Sequence, residues 1–183
     1  MVILVDEIEK GLIKIQKKIE SLEELESKGK TLAEKVRTSD ADLLKRMGTV
    51  AKPVVKKIGL NLLKKGKQDT KGELYHPQYY PGRMIILGKT DPAPCRPDNP
   101  SMEVVDQFCV LNEDGEFFEL MYSFDGFLTD SYLNPITAGE AIERYGYDVM
   151  FMLYQALRDY LKGEEDLVNA LEKVIVFVFG NKK

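Results

Sequence analysis

The chain has 183 residues, of which 44% are hydrophobic and 31% charged, with a formal net charge of −4 and two cysteines. That is enough length and apolar content for a proper core, which excludes fibrous, collagen-like and wholly disordered classes. No run approaches the ~18 apolar residues that cross a bilayer.

The opening MVILVDEIEK lacks the basic flank and full-length apolar segment of a secretory signal, so a cytoplasmic location is expected. Cys95 and Cys109, fourteen residues apart, form neither a disulfide framework nor a zinc pattern, and both are expected as thiols. Lys and Glu are abundant while Asn and Gln together number eleven, the balance of a thermophilic protein. The net charge conceals a split. Residues 1–72 hold 17 Lys/Arg against 11 Asp/Glu, a net of +6, and residues 73–183 hold 9 against 19, a net of −10.

Residues 5–28 read as helix. Ile8, Leu12, Ile15, Ile19 and Leu22 are spaced 4-3-4-3, a narrow stripe of coiled-coil type, with Lys and Glu on the other faces. Two and a half heptads are short for an independent coiled coil, so an antiparallel helical partner is expected. Gly29 is read as the stop of the first helix, and Thr31 with Glu34 as a capping box opening the next. Ser39-Asp40 offers a further N-cap, and Pro53 a first-turn position for a helix ending at Gly66. GKQDTKG at 66–72 is polar and bracketed by glycines, the best boundary in the chain.

Beyond it the period changes to that of strands. Met84–Leu87 suits a short buried strand. EVVDQFCVLNEDGEFFELMYSF at 103–124 reads as a hairpin about a two-residue Asp114-Gly115 turn. That register opposes Leu111 to Phe118, Cys109 to Leu120 and Gln107 to Tyr122, and turns Glu119 outward. T-A-G-E at 137–140 is a capping box before a helix to about Leu161, Gly163 is read as its break, and a second helix is expected to end at Gly180. The expected fold is therefore α+β. It has an N-terminal helical hairpin or bundle over about 5–65, a small antiparallel sheet over about 83–124, and a C-terminal helix pair over about 138–179 packed on the sheet. The corresponding domains are a basic helical region, 1–65, and an acidic α+β region, 73–183.

Motifs for chemistry are sparse. G-K-T occurs at 29–31 and 88–90, but a phosphate loop needs a glycine five residues before its G-K, where Glu24 and Arg83 stand. A single histidine, with no closely spaced ligand pair, supplies no zinc site, so no metal or cofactor is expected. A thiol centre would use Cys95 in the rigid loop TDPAPCRPDNPS, with Arg96 favouring the thiolate and His76 as base. Residues 43–71 carry nine basic residues and one acid. Lys45, Arg46, Lys56, Lys57, Lys64 and Lys65 would make phosphate contacts if two helices met at Gly48 as a helix-turn-helix, with 53–65 the recognition helix.

Three readings follow. The first is a non-enzymatic protein acting by self-association or with a protein partner through its N-terminal helices. The second binds nucleic acid through 43–71. The third is a small enzyme with its site near His76, Cys95 and Arg96.

Overall fold

The structure is a computed structural model that describes residues 2–179. It is α+β, as expected: one long helix, a six-stranded antiparallel sheet and two C-terminal helices. The chain divides into two compact units, Met1–Asp40 and Ala41–Lys183.

Helix α1 runs without interruption over Val2–Ile58, in place of the expected hairpin. Each expected stop fails for a local reason. Gly29 keeps a helical φ, so it costs about 1 kcal/mol of propensity without turning the chain. Thr31 does not cap. Its Oγ1 donates back to the Ser27 carbonyl at 3.0 Å, the bond a helical threonine makes with the preceding turn. Pro53 lies inside the helix, where it removes a donor and costs about 3 kcal/mol. Burial of Ala51, Val54 and Val55 around it offsets that cost. Gly48 is no turn but a close approach: a β-carbon there would stand 3.1 Å from both the Gly115 carbonyl oxygen and the Phe117 ring.

The strands are β1 (Leu63–Gln68), β2 (Leu74–Tyr79), β3 (Met84–Thr90), β4 (Asp106–Asn112), β5 (Phe117–Phe124) and β6 (Leu128–Ile136), in the order β2-β1-β6-β5-β4-β3. The sheet is thus larger than expected, and residues 63–65 are strand where a helix was anticipated. The glycine-bracketed stretch 66–72 is the end of β1 and the turn into β2, in which Asp69 Oδ1 accepts from the amides of Lys71 and Glu73. The sheet also curls. Leu60, just before β1, exchanges both backbone hydrogen bonds with Met84 at the start of β3, each 2.9 Å.

The β4–β5 hairpin exists, one residue out of the expected register. Leu111 pairs with Phe117, Cys109 with Glu119 and Gln107 with Met121. The turn is a three-residue loop. Asn112 Oδ1 accepts from the amides of Asp114 and Glu116, and only Gly115 needs a positive φ, 77°. Because strand side chains alternate, this slip moves every β5 side chain to the opposite face. Glu119, expected outside, lies fully buried beneath the helices.

One sheet face packs Leu87, Cys109, Leu111, Phe117 and Ile136 against Leu44, Ala51 and Val55 of α1 and against the C-terminal helices. The other carries a second cluster around Met84, Val110 and Leu120. Helix α2 (Ala138–Tyr145) starts at the expected capping box: Thr137 Oγ1 accepts from the Glu140 amide, and Glu140 accepts from the Thr137 amide. The break between the C-terminal helices falls at Gly146, which adopts φ 76°, and α3 (Asp148–Phe179) runs on through Gly163. Residues 174–179 are helical, and the expected stop at Gly180 lies outside the described residues.

Candidate functional site

The Pro-rich loop between β3 and β4 is fastened to the sheet through Arg96. Its guanidinium donates to both carboxylate oxygens of Asp98 (2.9 and 2.5 Å) and to Asp130 Oδ2 on β6 (2.9 Å), and it lies 5.8 Å from the centre of the Tyr132 ring. The side chain is 6% exposed. Hydrogen bonding to Asp98 raises its pKa further, while Asp98 is held below its usual value by the same contact. Upstream, the Ala93 amide donates to Gln107 Oε1, so the loop is tied at two points. With each of its three nitrogens bonded to a carboxylate, Arg96 acts as a clamp.

Cys95 is half-buried in that loop. His76 lies exposed on β2 in a left-handed backbone conformation, φ 50°. β2 and β3 are the two ends of the strand order, but the sheet curls and the Arg96–Asp130 bond carries the Cys95 loop across to β6. Among the described residues no hydrogen bond joins His76 to Cys95.

The basic residues divide between two kinds of structure. Lys45 and Arg46 are exposed on α1, and Lys56 and Lys57 occupy its last turn, where cations complement the helix dipole. Arg83 finishes that end by donating to the carbonyls of Lys56 and Lys57, each at 3.0 Å. Lys57 Nζ lies 5.5 Å from the Tyr160 ring centre, and hydrogen bonding to Tyr160 raises its pKa. Lys64 and Lys65 sit exposed on β1, with Lys64 6.0 Å from the Tyr80 ring centre. There is no recognition helix over 53–65, because the residues after Ile58 leave the helix to pair in the sheet.

The polar feature not anticipated from sequence is Glu119. Its fully buried carboxylate accepts from Gln107 Nε2 (2.9 Å), Asn134 Nδ2 (3.1 Å), Tyr145 Oη (3.2 Å) and Arg144 Nη1 (2.5 Å). Four donors from β4, β6 and α2 satisfy one acceptor group, which pins α2 to the sheet. Burial, and then the Glu119 charge, push the adjacent Cys109 thiol up to about 12. The only hint in the sequence is a lone carboxylate inside the apolar run FFELM.

The largest feature is apolar. Within the first unit the described residues form α1 alone, and its stripe is uncovered: Ile8 is 64%, Ile15 56% and Leu22 58% exposed. Leu25, Leu32 and Val36 extend it at comparable exposure. In the second unit, a groove of about 580 Å³ runs between Leu43, Met47 and Val50 of α1 and Met150, Phe151 and Tyr154 of α3. Past it, α3 exposes Leu161, Leu171, Ile175 and Phe177. A helix end that is apolar all round is normally buried against something.

Among the described residues no helix is long and apolar enough to cross a membrane, and no three His, Cys, Asp or Glu side chains are grouped to hold a metal ion. No family model matches the sequence, and no curated protein or solved structure matches it either.

Proposed function

We propose that the chain works by association, with the N-terminal half of α1 as an assembly element that pairs with a second copy. The observation that carries this reading is the uncovered stripe from Ile8 to Val36. Helices draw most of their stability from packing an apolar face, and this one packs its face on nothing within its own unit. Magnitudes favour pairing. Burying the exposed half of eight such side chains from each of two copies contributes on the order of 12–24 kcal/mol, against a cost of association of about 4–15 kcal/mol. The test is sedimentation velocity on the full 20.8 kDa chain. A multiple of that mass is expected, returning to the monomer in Ile15→Glu/Ile19→Glu with the near-UV spectrum unchanged. A wild-type monomer at micromolar concentration would remove the proposal.

A second reading assigns the exposed cations Lys45, Arg46, Lys56, Lys57, Lys64 and Lys65 to nucleic-acid phosphates. What supports it is that all six are solvent-exposed. Six phosphate contacts would cost roughly three decades of affinity between 50 and 200 mM salt. A gel shift that disappears when Lys56, Lys57, Lys64 and Lys65 are changed to Gln is expected, and no shift at low salt would end this reading.

A further inference from the structure

We infer that two copies of α1 pair antiparallel about a two-fold axis between Glu20 and Ser21, in one particular register. This rests on the self-association reading above and specifies its geometry. The heptad lettering places Ile8, Ile15, Leu22, Gly29 and Val36 at d, and Leu12, Ile19, Glu26 and Ala33 at a. The stripe is therefore uneven. Its N-terminal half is built from large apolar side chains. Its C-terminal half starts with Glu26, Gly29 and Ala33, before Val36.

A parallel, in-register pair would set Glu26, Gly29 and Ala33 each against its own copy. Two like charges would meet in the seam, followed by two thin layers. Nothing in α1 fills those layers, since a β-carbon on Gly29 would have no neighbour within 4 Å. The antiparallel arrangement opposes a to d of the other copy, so no seam residue meets itself. In the register that sets Leu12 against Gly29, Ile8 meets Ala33, Ile15 meets Glu26 and Ile19 meets Leu22. Two large residues fill each central layer, and large faces small toward the ends, the condition for knobs to fill holes at constant helix separation. Because the same patch serves both copies, each contact occurs twice and the interface closes.

Charge selects this register over its neighbour one heptad along. Here the e positions oppose Glu9 to Lys30 and Gln16 to Glu23, both twice over, with no like pair. The Glu26 stem lies along Ile15, and its carboxylate comes beside the Gln16 amide, which can donate to it. The next register sets Leu12 against Val36 but opposes Glu23 to its own copy and brings Glu26 beside that pair. Four acids would then crowd the axis. At g, Leu32 falls opposite Gly11, a further large-to-small contact, and Leu25 lies against the stem of Lys18. Leu25 and Leu32 are 61% and 53% exposed, so both are available to widen the thin half of the stripe. From Ile8 to Ala33 the helix provides about 40 Å of contact at ~1.5 Å rise per residue.

Cross-linking separates this geometry from association as such. In a Cys95→Ser background, which removes the partly exposed native thiol, Ile8→Cys and Ala33→Cys are made as separate proteins, one carrying a mass tag. Disulfides need Cα atoms within about 7 Å, so mild oxidation of the mixture should yield the mixed I8C–A33C dimer. Neither protein oxidised alone should give a dimer. An Ile8→Cys homodimer would show a parallel pair, overturning the inference while leaving association intact. An oligomer by sedimentation that gives no mixed cross-link also overturns it. A monomer overturns both.

Discussion

Gly48 on α1 and Gly115 in the β4–β5 turn face each other so closely that a β-carbon on either would press on the other's carbonyl oxygen, at 3.1 Å from Gly48 and 2.8 Å from Gly115. This contact explains how α1 is seated on the sheet beside Leu44 and Ala51, both fully buried. It also separates the two glycines experimentally. Gly48 has helical φ, so Gly48→Ala gains up to about 1 kcal/mol of helix propensity against a tight contact, and is expected to be nearly neutral. Gly115→Ala adds about 1–2 kcal/mol of left-handed strain to a backbone clash, and is expected to be the more damaging. Urea midpoints would check the order, and equal losses would show that the approach is slack.

Glu119 is expected to be the most sensitive polar position. Glu119→Ala leaves the buried donors of Gln107 and Tyr145, and the half-buried one of Asn134, without an acceptor, at about 1–3 kcal/mol for each buried group. Arg144 is 42% exposed, so water can replace part of what it supplies, and Arg144→Ala should cost about 1–3 kcal/mol. A Glu119→Ala loss below the Arg144→Ala loss in chemical denaturation would contradict the network.

The two thiols should separate cleanly. Cys109 is fully buried and its thiol is pushed up to about 12, while Cys95 is partly accessible in the Pro-rich loop. A thiol reagent at pH 8 should label one cysteine per native chain and two after denaturation. Rapid native labelling of both would mean that the helix-covered sheet face opens readily.

Acid should destabilise the second unit. Arg96 holds Asp98 below its usual carboxylate value, backbone amides of Leu128 and Phe127 do so for Asp125, and the Thr137 amide does so for Glu140. Each group has a folded pKa depressed below its unfolded one. Its contribution is therefore complete above the ordinary carboxylate range and is lost as pH falls through the folded value. The unfolding midpoint should be flat from neutral pH down to about 5 and drop below about 4. Asp98→Asn should lower the plateau and reduce the drop. Stability that rises on acidification would reverse the assignment.

The sequence alone determined the strands of the β4–β5 hairpin, the helical character of the C-terminal segment, the Thr137 capping box and the apolar stripe of residues 8–22. These depend on contacts within a turn or on a repeat that any partner would read. Three outcomes went against the local reading. Gly29 and Gly163 passed into helix interiors while Gly146 became the break, because a glycine stops a helix only where the following chain has somewhere to pack. Asn112 captured the amides of the β4–β5 turn and shifted the register by one residue, which sent Glu119 from the expected surface into the core. Arg96 found Asp130, thirty-four residues away, and became a clamp where its neighbour in sequence had suggested an activator. At Asn112 the competing signal lay only two to four residues away, whereas for Arg96 it lay far along the chain, where only the tertiary structure could supply it.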